Sequence, residues 1–160
     1  MAAPQIASNA NQDEAKLAAQ LQRWAEGKAT LRDVRGYTDE ELYAIAKTAY
    51  IFFYQGRIAE ARTLFQGLYA VNPADGYFAK ALGVVEMAAG NAQGALAAYD
   101  VALKLDNRDA QAYVGRAEVR LSLGHKPQAL EDLRRVASLL PEKEPLAQKA
   151  AAMLNGLLQR

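Results

Sequence analysis

Apolar side chains recur along this chain at the spacing of an amphipathic helix, and short polar or glycine-bearing breaks divide the pattern into blocks. In the first block, Gln12 to Gly27, the residues Leu17, Leu21, Trp24 and Ala25 form one stripe, and Gly27 is a stop signal. In the last, after Pro141 to Pro145, the stripe is Leu146, Ala150, Met153, Leu154, Leu157 and Leu158. Before the second block, Thr38-Asp39-Glu40-Glu41 has the form of a capping box, with the Thr38 hydroxyl and the Glu41 carboxylate each satisfying the other's backbone amide. A helix is therefore predicted to start there, after a short connector over Thr30 to Tyr37.

The blocks between these flanks repeat. Gly56, Gly90 and Gly124 stand 34 residues apart, and so do Ala61, Ala95 and Ala129. Phe65, Tyr99 and Leu133 form a third column, Val71, Leu105 and Leu139 a fourth, and Pro73, Asn107 and Pro141 a fifth. Each column has a physical task. The glycine supplies the left-handed residue that ends one helix and turns the chain. The alanine five residues later is small enough for two antiparallel helices to touch. The aromatic or leucine four residues further on lies on the same helical face. The proline or asparagine ends the unit.

A period of 34 with these columns resembles the tetratricopeptide repeat (TPR) family, and Gly56-Arg57-Ile58-Ala59-Glu60-Ala61 with its two later copies carries the resemblance. The implied fold is all-α: three TPR hairpins at about 42–75, 76–109 and 110–143, wound into a right-handed superhelical solenoid. An amphipathic N-terminal helix and connector over 12–37 precede them, a capping helix over 144–160 follows, and residues 1–11 are expected to be disordered. The N-terminal stripe has two readings: it packs on repeat one, or Leu17, Leu21 and Trp24 meet a second copy of the chain. Where the family usually has an apolar residue, the three repeats have Phe52, Glu86 and Arg120, and repeat three has Arg116 where leucine is common. These charges either snorkel to solvent at the edge of the helix pair or, for Glu86 and Arg120, pair across the repeat boundary.

Composition narrows the function classes. Half of the chain is hydrophobic (51%), much of it alanine, the best helix former. The balance of 19 basic against 18 acidic side chains gives no drive toward nucleic acid or an anionic membrane. No stretch approaches the roughly 18 apolar residues of a membrane span, and residues 1–11 lack a secretory signal pattern, so a cytoplasmic location is expected. The chain has no cysteine and one histidine, His125, in a turn, so neither a disulfide nor a zinc site is expected. No serine has a recognisable histidine partner and no glycine-rich phosphate loop is present. No catalytic residue, metal or cofactor is therefore expected, and an enzyme reading has no residue to stand on.

Binding in a TPR solenoid is expected on the concave surface made by the first helix of each unit. Positions 2, 5, 9 and 12 form that stripe. They are Tyr43, Ala46, Tyr50 and Phe53 in repeat one, with Tyr54 beside them; Tyr77, Lys80, Val84 and Met87 in repeat two; and Gln111, Val114, Glu118 and Leu121 in repeat three. TPRs that grip a terminal carboxylate line this groove with Lys, Arg and Asn, and here Lys80 alone fits. Tyr, Phe, Val, Met and Leu suit apolar anchors of an extended segment. The other reading of Tyr50 and Phe53 is that they only pack beneath the N-terminal helix.

The first half of the chain narrows this further. Thr30-Leu31-Arg32-Asp33-Val34-Arg35-Gly36-Tyr37-Thr38, then Leu42-Tyr43-Ala44-Ile45-Ala46, Tyr54 to Ala61 and Leu64-Phe65-Gln66-Gly67-Leu68, look like the class II chaperones of bacterial type III secretion. The resemblance implies a cytoplasmic chaperone that holds an extended apolar segment of a translocator protein in its groove, through Ala46, Tyr50, Phe53, Tyr77, Lys80, Val84 and Met87. It also implies homodimerisation through Leu17, Leu21 and Trp24; the charge balance and the lack of an apolar span leave neither nucleic-acid binding nor stable membrane insertion expected. The alternative is a generic TPR scaffold in another bacterial assembly.

Overall fold

The computed structural model describes residues 3–159, with side chains from residue 12 onward. Among the described residues there are nine helices and no strand: α1 (Ala3–Ala25), α2 (Leu31–Arg35), α3 (Asp39–Tyr54), α4 (Ile58–Val71), α5 (Gly76–Ala88), α6 (Ala92–Leu105), α7 (Ala110–Ser122), α8 (Lys126–Leu139) and α9 (Pro145–Leu158). The pairs α3/α4, α5/α6 and α7/α8 are the three expected hairpins. Each turns at its column glycine, with φ of 76° at Gly56, 78° at Gly90 and 76° at Gly124. This is the left-handed region, where a Cβ would be strained. The Thr38 capping box closes as expected, with Glu41 N–H donating to Thr38 Oγ1 at 3.2 Å and Thr38 N–H donating to Glu41 Oε2 at 2.9 Å.

Two boundaries differ from the sequence reading. Met1 and Ala2 lie outside the described residues, but α1 already begins at Ala3, well before Gln12. Pro4 suits a first helical turn, and the alanines after it are good helix formers. The expectation of disorder over 1–11 followed the lack of an apolar stripe, which does not prevent local helix. The connector holds a helical turn of its own. Thr30 and Asp33 repeat the capping-box chemistry one element earlier, and Gly36 stops the turn at φ 72°. That Thr-x-x-Asp signal was legible in the sequence.

Three apolar clusters run along the solenoid, and each crosses a repeat boundary. Leu42, Ala61, Phe65 and Leu68 of the first hairpin close around Phe78, Ala81 and Val85 of α5. Ala95, Tyr99 and Ala102 of α6 pack on Ala112 and Val119 of α7. Ala129, Leu133 and Val136 of α8 pack on Ala150, with Leu146, Met153, Leu154 and Leu157 of α9 over them. The end helix thus covers the last hairpin. Ala61, Ala95 and Ala129 are fully buried at the hairpin contacts. Phe65, Phe78 and Leu133 are among the largest fully buried side chains, each contributing about 1.5–3 kcal/mol of burial.

The unusual charges are neither exposed nor paired with one another. Glu86 is buried and accepts hydrogen bonds from Arg62 Nε at 2.9 Å, Gln66 Nε2 at 3.0 Å and Asn91 Nδ2 at 2.8 Å. Arg62 and Gln66 belong to α4, so this carboxylate clamps repeat one to repeat two. Asp132 is buried as well. It takes a two-pronged contact from Arg116, at 3.0 and 2.7 Å, and a third bond from Arg120 Nη1 at 2.7 Å. Arg116 Nη1 also reaches Asp100 of α6 at 2.7 Å, tying repeat three to repeat two. Both expectations for Glu86 and Arg120 are therefore corrected: each finds a nearer partner, Arg62 for the acid and Asp132 for the base. No buried side-chain polar atom in the described residues is left unpaired.

Burial pushes the Glu86 carboxyl up, but the hydrogen bonds from Arg62, Asn91 and Gln66 outweigh it and hold the carboxyl below the usual glutamate range. A carboxyl depressed by folding stabilises the fold above its unfolded pKa, and that contribution is lost as pH falls through the folded value. Glu86→Gln is therefore expected to lower urea-measured stability at pH 7, with the gap to wild type closing in acid below the ordinary glutamate range. Asp132→Ala removes the buried carboxylate shared by two guanidinium groups, leaving Arg116 only Asp100 and Arg120 only a backbone carbonyl, and is expected to cost about 3 kcal/mol in the same measurement.

Candidate functional site

The first helices of the hairpins line a cavity of about 240 Å³, bounded by Tyr50 of α3, Lys80 and Val84 of α5, Tyr99 of α6, Gln111, Val114, Gly115 and Glu118 of α7, and Leu146 and Lys149 of α9. Six of the thirteen predicted groove residues meet there: Tyr50, Lys80, Val84, Gln111, Val114 and Glu118. Toward repeat one the surface continues as a chain of rings. Tyr43 and Tyr77 meet edge-on with centroids 5.3 Å apart, Tyr77 and Tyr50 are 6.3 Å apart, and Tyr50 and Tyr54 stack at 6.3 Å. Phe53 meets the Tyr54 ring at 5.6 Å. Tyr54 is the most open of them, at 81% exposed.

Other predicted positions are placed differently. Ala46 is wholly buried in the first cluster and leaves no surface for a ligand. Its helix meets α4 there, and the methyl group is the contact. Phe53, Met87 and Leu121, one at the same place in each repeat, are half-buried against the three successive clusters. Tyr43 stays exposed, but its hydroxyl donates to Asp75 Oδ2 at 2.7 Å. That hydrogen bond, with burial and the charge of Asp75, raises its pKa to about 12.

Tyr50 is not covered by the N-terminal helix. Its ring lies edge-on to Phe65 at 4.9 Å and its outer side faces the cavity. α1 packs on α2 instead of repeat one. Leu17, Leu21 and Trp24 are therefore 45%, 43% and 49% exposed, which corrects the reading that this stripe is buried on the solenoid.

The polar groups of the cavity are paired with one another. Lys80 Nζ donates to Asp109 Oδ2 at 2.6 Å and to Gln111 Oε1 at 3.1 Å. Lys149 reaches across from α9 to Glu118 at 2.6 Å. The one lysine that suited a terminal carboxylate is thus already engaged.

Four lining residues were not predicted. Leu146 and Lys149 come from the end helix, whose docking angle no periodicity encodes. Tyr99 and Gly115 form a fitted pair. A Cβ at Gly115 would overlap the Tyr99 phenol outright, and one at Gly83 would lie 2.9 Å from its ring edge. Two helices thus leave a slot through which the ring reaches the cavity. Gly115→Ala is expected to force the ring out of this slot, lowering stability by about 1–3 kcal/mol and quenching binding at the cavity. Urea unfolding and a crystal structure of the variant would check this.

Fold and site together define an all-α tetratricopeptide-repeat solenoid with a partly aromatic groove, and residues 46–111 match the family described as Tetratricopeptide repeat. Among solved structures, the chain is similar to the type III secretion translocator chaperone SycD of Yersinia enterocolitica, at 22% identity and TM-score 0.75, covering 80% of this chain and 98% of that one. It is similar to PcrH of Pseudomonas aeruginosa in complex with the chaperone binding region of PopD, at 24% identity and TM-score 0.73, covering 78% and 96%. It is also similar to the first TPR of Spaghetti (RPAP3) bound to an HSP90 peptide, at 19% identity and TM-score 0.69, covering 76% and 94%. At these identities the likeness is one of fold. A search of curated proteins found no match.

Proposed function

We propose that this chain is a bacterial cytoplasmic chaperone of type III secretion, which holds an extended apolar segment of a translocator protein in its groove. The carrying observation is the groove itself: rings from repeat one run into a cavity walled by all three repeats and the end helix. Its aromatic and aliphatic lining suits apolar anchors, and the charged groups that share it are spent on internal pairs. SycD and PcrH, named as a translocator chaperone and as the partner of a PopD region, share the fold over nearly their whole length. A client segment that would aggregate on its own gains solubility when its anchors are covered. No described helix is long and apolar enough to cross a membrane.

The test is co-expression with a candidate translocator, a protein with long apolar segments encoded near the chain's own gene. The client is expected to become soluble and to co-elute with the chain. Val84→Lys places a charge in the cavity while its stem can snorkel to the mouth. It should reduce retained client at least tenfold with unchanged helicity. Failure of wild type to retain any such client rejects the chaperone reading. The second reading is a TPR adaptor in another bacterial assembly; the RPAP3 repeat, which shares the fold, is bound to an HSP90 peptide. Groove-dependent capture of a partner without apolar segments would favour it.

Self-association belongs to the same proposal. The Leu17, Leu21 and Trp24 stripe is half-exposed, and the main contact of α1 among the described residues is with the short α2, so a second copy is the proposed cover of the stripe. Leu21→Glu with Trp24→Glu is expected to convert a dimer to a monomer in light scattering, leaving the unfolding midpoint of the repeats in place. A wild-type monomer would reject it.

A further inference from the structure

The column Phe65, Tyr99 and Leu133 fills the same core site in each repeat, and only its middle member ends in a hydroxyl. Leucine or phenylalanine fills that site elsewhere, so packing alone gives no reason for the oxygen. The surroundings supply one. Tyr99 is only 4% exposed, and it lines the cavity through the slot left by Gly83 and Gly115. No covered side-chain polar atom in the described residues lacks a partner. Among the described residues the Tyr99 hydroxyl has no hydrogen-bond partner, so it is not a covered atom, and the cavity that Tyr99 lines is where a ligand can meet it.

We propose that Tyr99 is a recognition residue of the groove, whose hydroxyl donates a hydrogen bond to a backbone carbonyl of the extended segment bound across repeats two and three. The inference rests on reading the groove as a peptide site and adds what the site reads there. Burial, with the nearby charges of Glu118 and Asp109, raises the phenol to about 12, so it keeps its proton at neutral pH and can donate. Those two carboxylates are themselves neutralised, Asp109 by Lys80 and Glu118 by Lys149, so the cavity offers a charged ligand no free counter-charge. A neutral acceptor remains. An extended peptide that adds to no sheet buries carbonyl groups that its own backbone cannot satisfy, and each such group needs a donor.

The test uses the full chain and peptides selected from a random display library for binding to it, with affinities measured by fluorescence anisotropy. Tyr99→Phe keeps the ring in its slot, so helicity and unfolding midpoint should hold. Affinity for groove-bound peptides is expected to fall about three- to tenfold, the range of one hydrogen bond. Replacing successive peptide amides by esters weakens one carbonyl acceptor at a time. One ester should lower wild-type affinity severalfold and leave the affinity of Tyr99→Phe unchanged. Equal affinity of wild type and Tyr99→Phe, or ester losses of the same size in both, overturns the role of Tyr99 while the groove stands. If Val84→Lys binds the selected peptides as tightly as wild type, peptides do not use the groove, and both readings fall together.

Discussion

A two-helix hairpin of this length cannot bury both of its apolar faces, and everything in this molecule follows from that constraint. Each hairpin must be covered by the next helix. The three apolar clusters accordingly straddle the boundaries: first hairpin to α5, α6 to α7, and α8 to α9. The alanines at the hairpin contacts keep the helices close. The glycines at Gly56, Gly90 and Gly124 let the chain reverse within a few residues, so that the covering helix arrives in register.

Stacking alone would permit sliding between units, and the two buried carboxylates oppose it. Glu86 is held from the preceding hairpin by Arg62 and Gln66, while Arg116 grips Asp132 within its own hairpin and Asp100 in the one before. Such groups cost desolvation free energy, and they return it only in one geometry. They stand on or against the helices that wall the groove, so a clamp between repeats also sets the spacing between the groove's side chains. Scaffold and site are in this sense one structure. Tyr99 shows it most directly, since one side chain belongs to the core at the boundary of repeats two and three and also lines the cavity.

The open groove and the open N-terminal stripe are separate surfaces on separate elements. One is built from the first helices of the repeats together with α9, the other from α1 alone. The proposed client site and the proposed self-association stripe therefore do not overlap, and neither would compete with the other. The glycine slot around Tyr99 sits at the inner end of the groove, far along the chain from Leu17, Leu21 and Trp24.

The sequence by itself determined the period, the hairpins, the left-handed glycines, the Thr38 cap and the stripe from which six cavity residues come. These are local properties, written in spacing, helix propensity and turn chemistry, and a 34-residue repeat states them three times over. What the tertiary structure decided is everything that depends on how one unit rests on the next. It buried Ala46 and left Tyr54 open, though both lie on one helix. It gave Glu86 and Arg120 different partners from those their equivalent positions suggested, because a guanidinium or carboxylate on the adjacent helix was nearer. It left α1 against α2 and brought Leu146 and Lys149 into the groove. The reason is physical: side-chain spacing along a helix is fixed by its pitch, but the angle at which two helices cross is settled only by the packing between them.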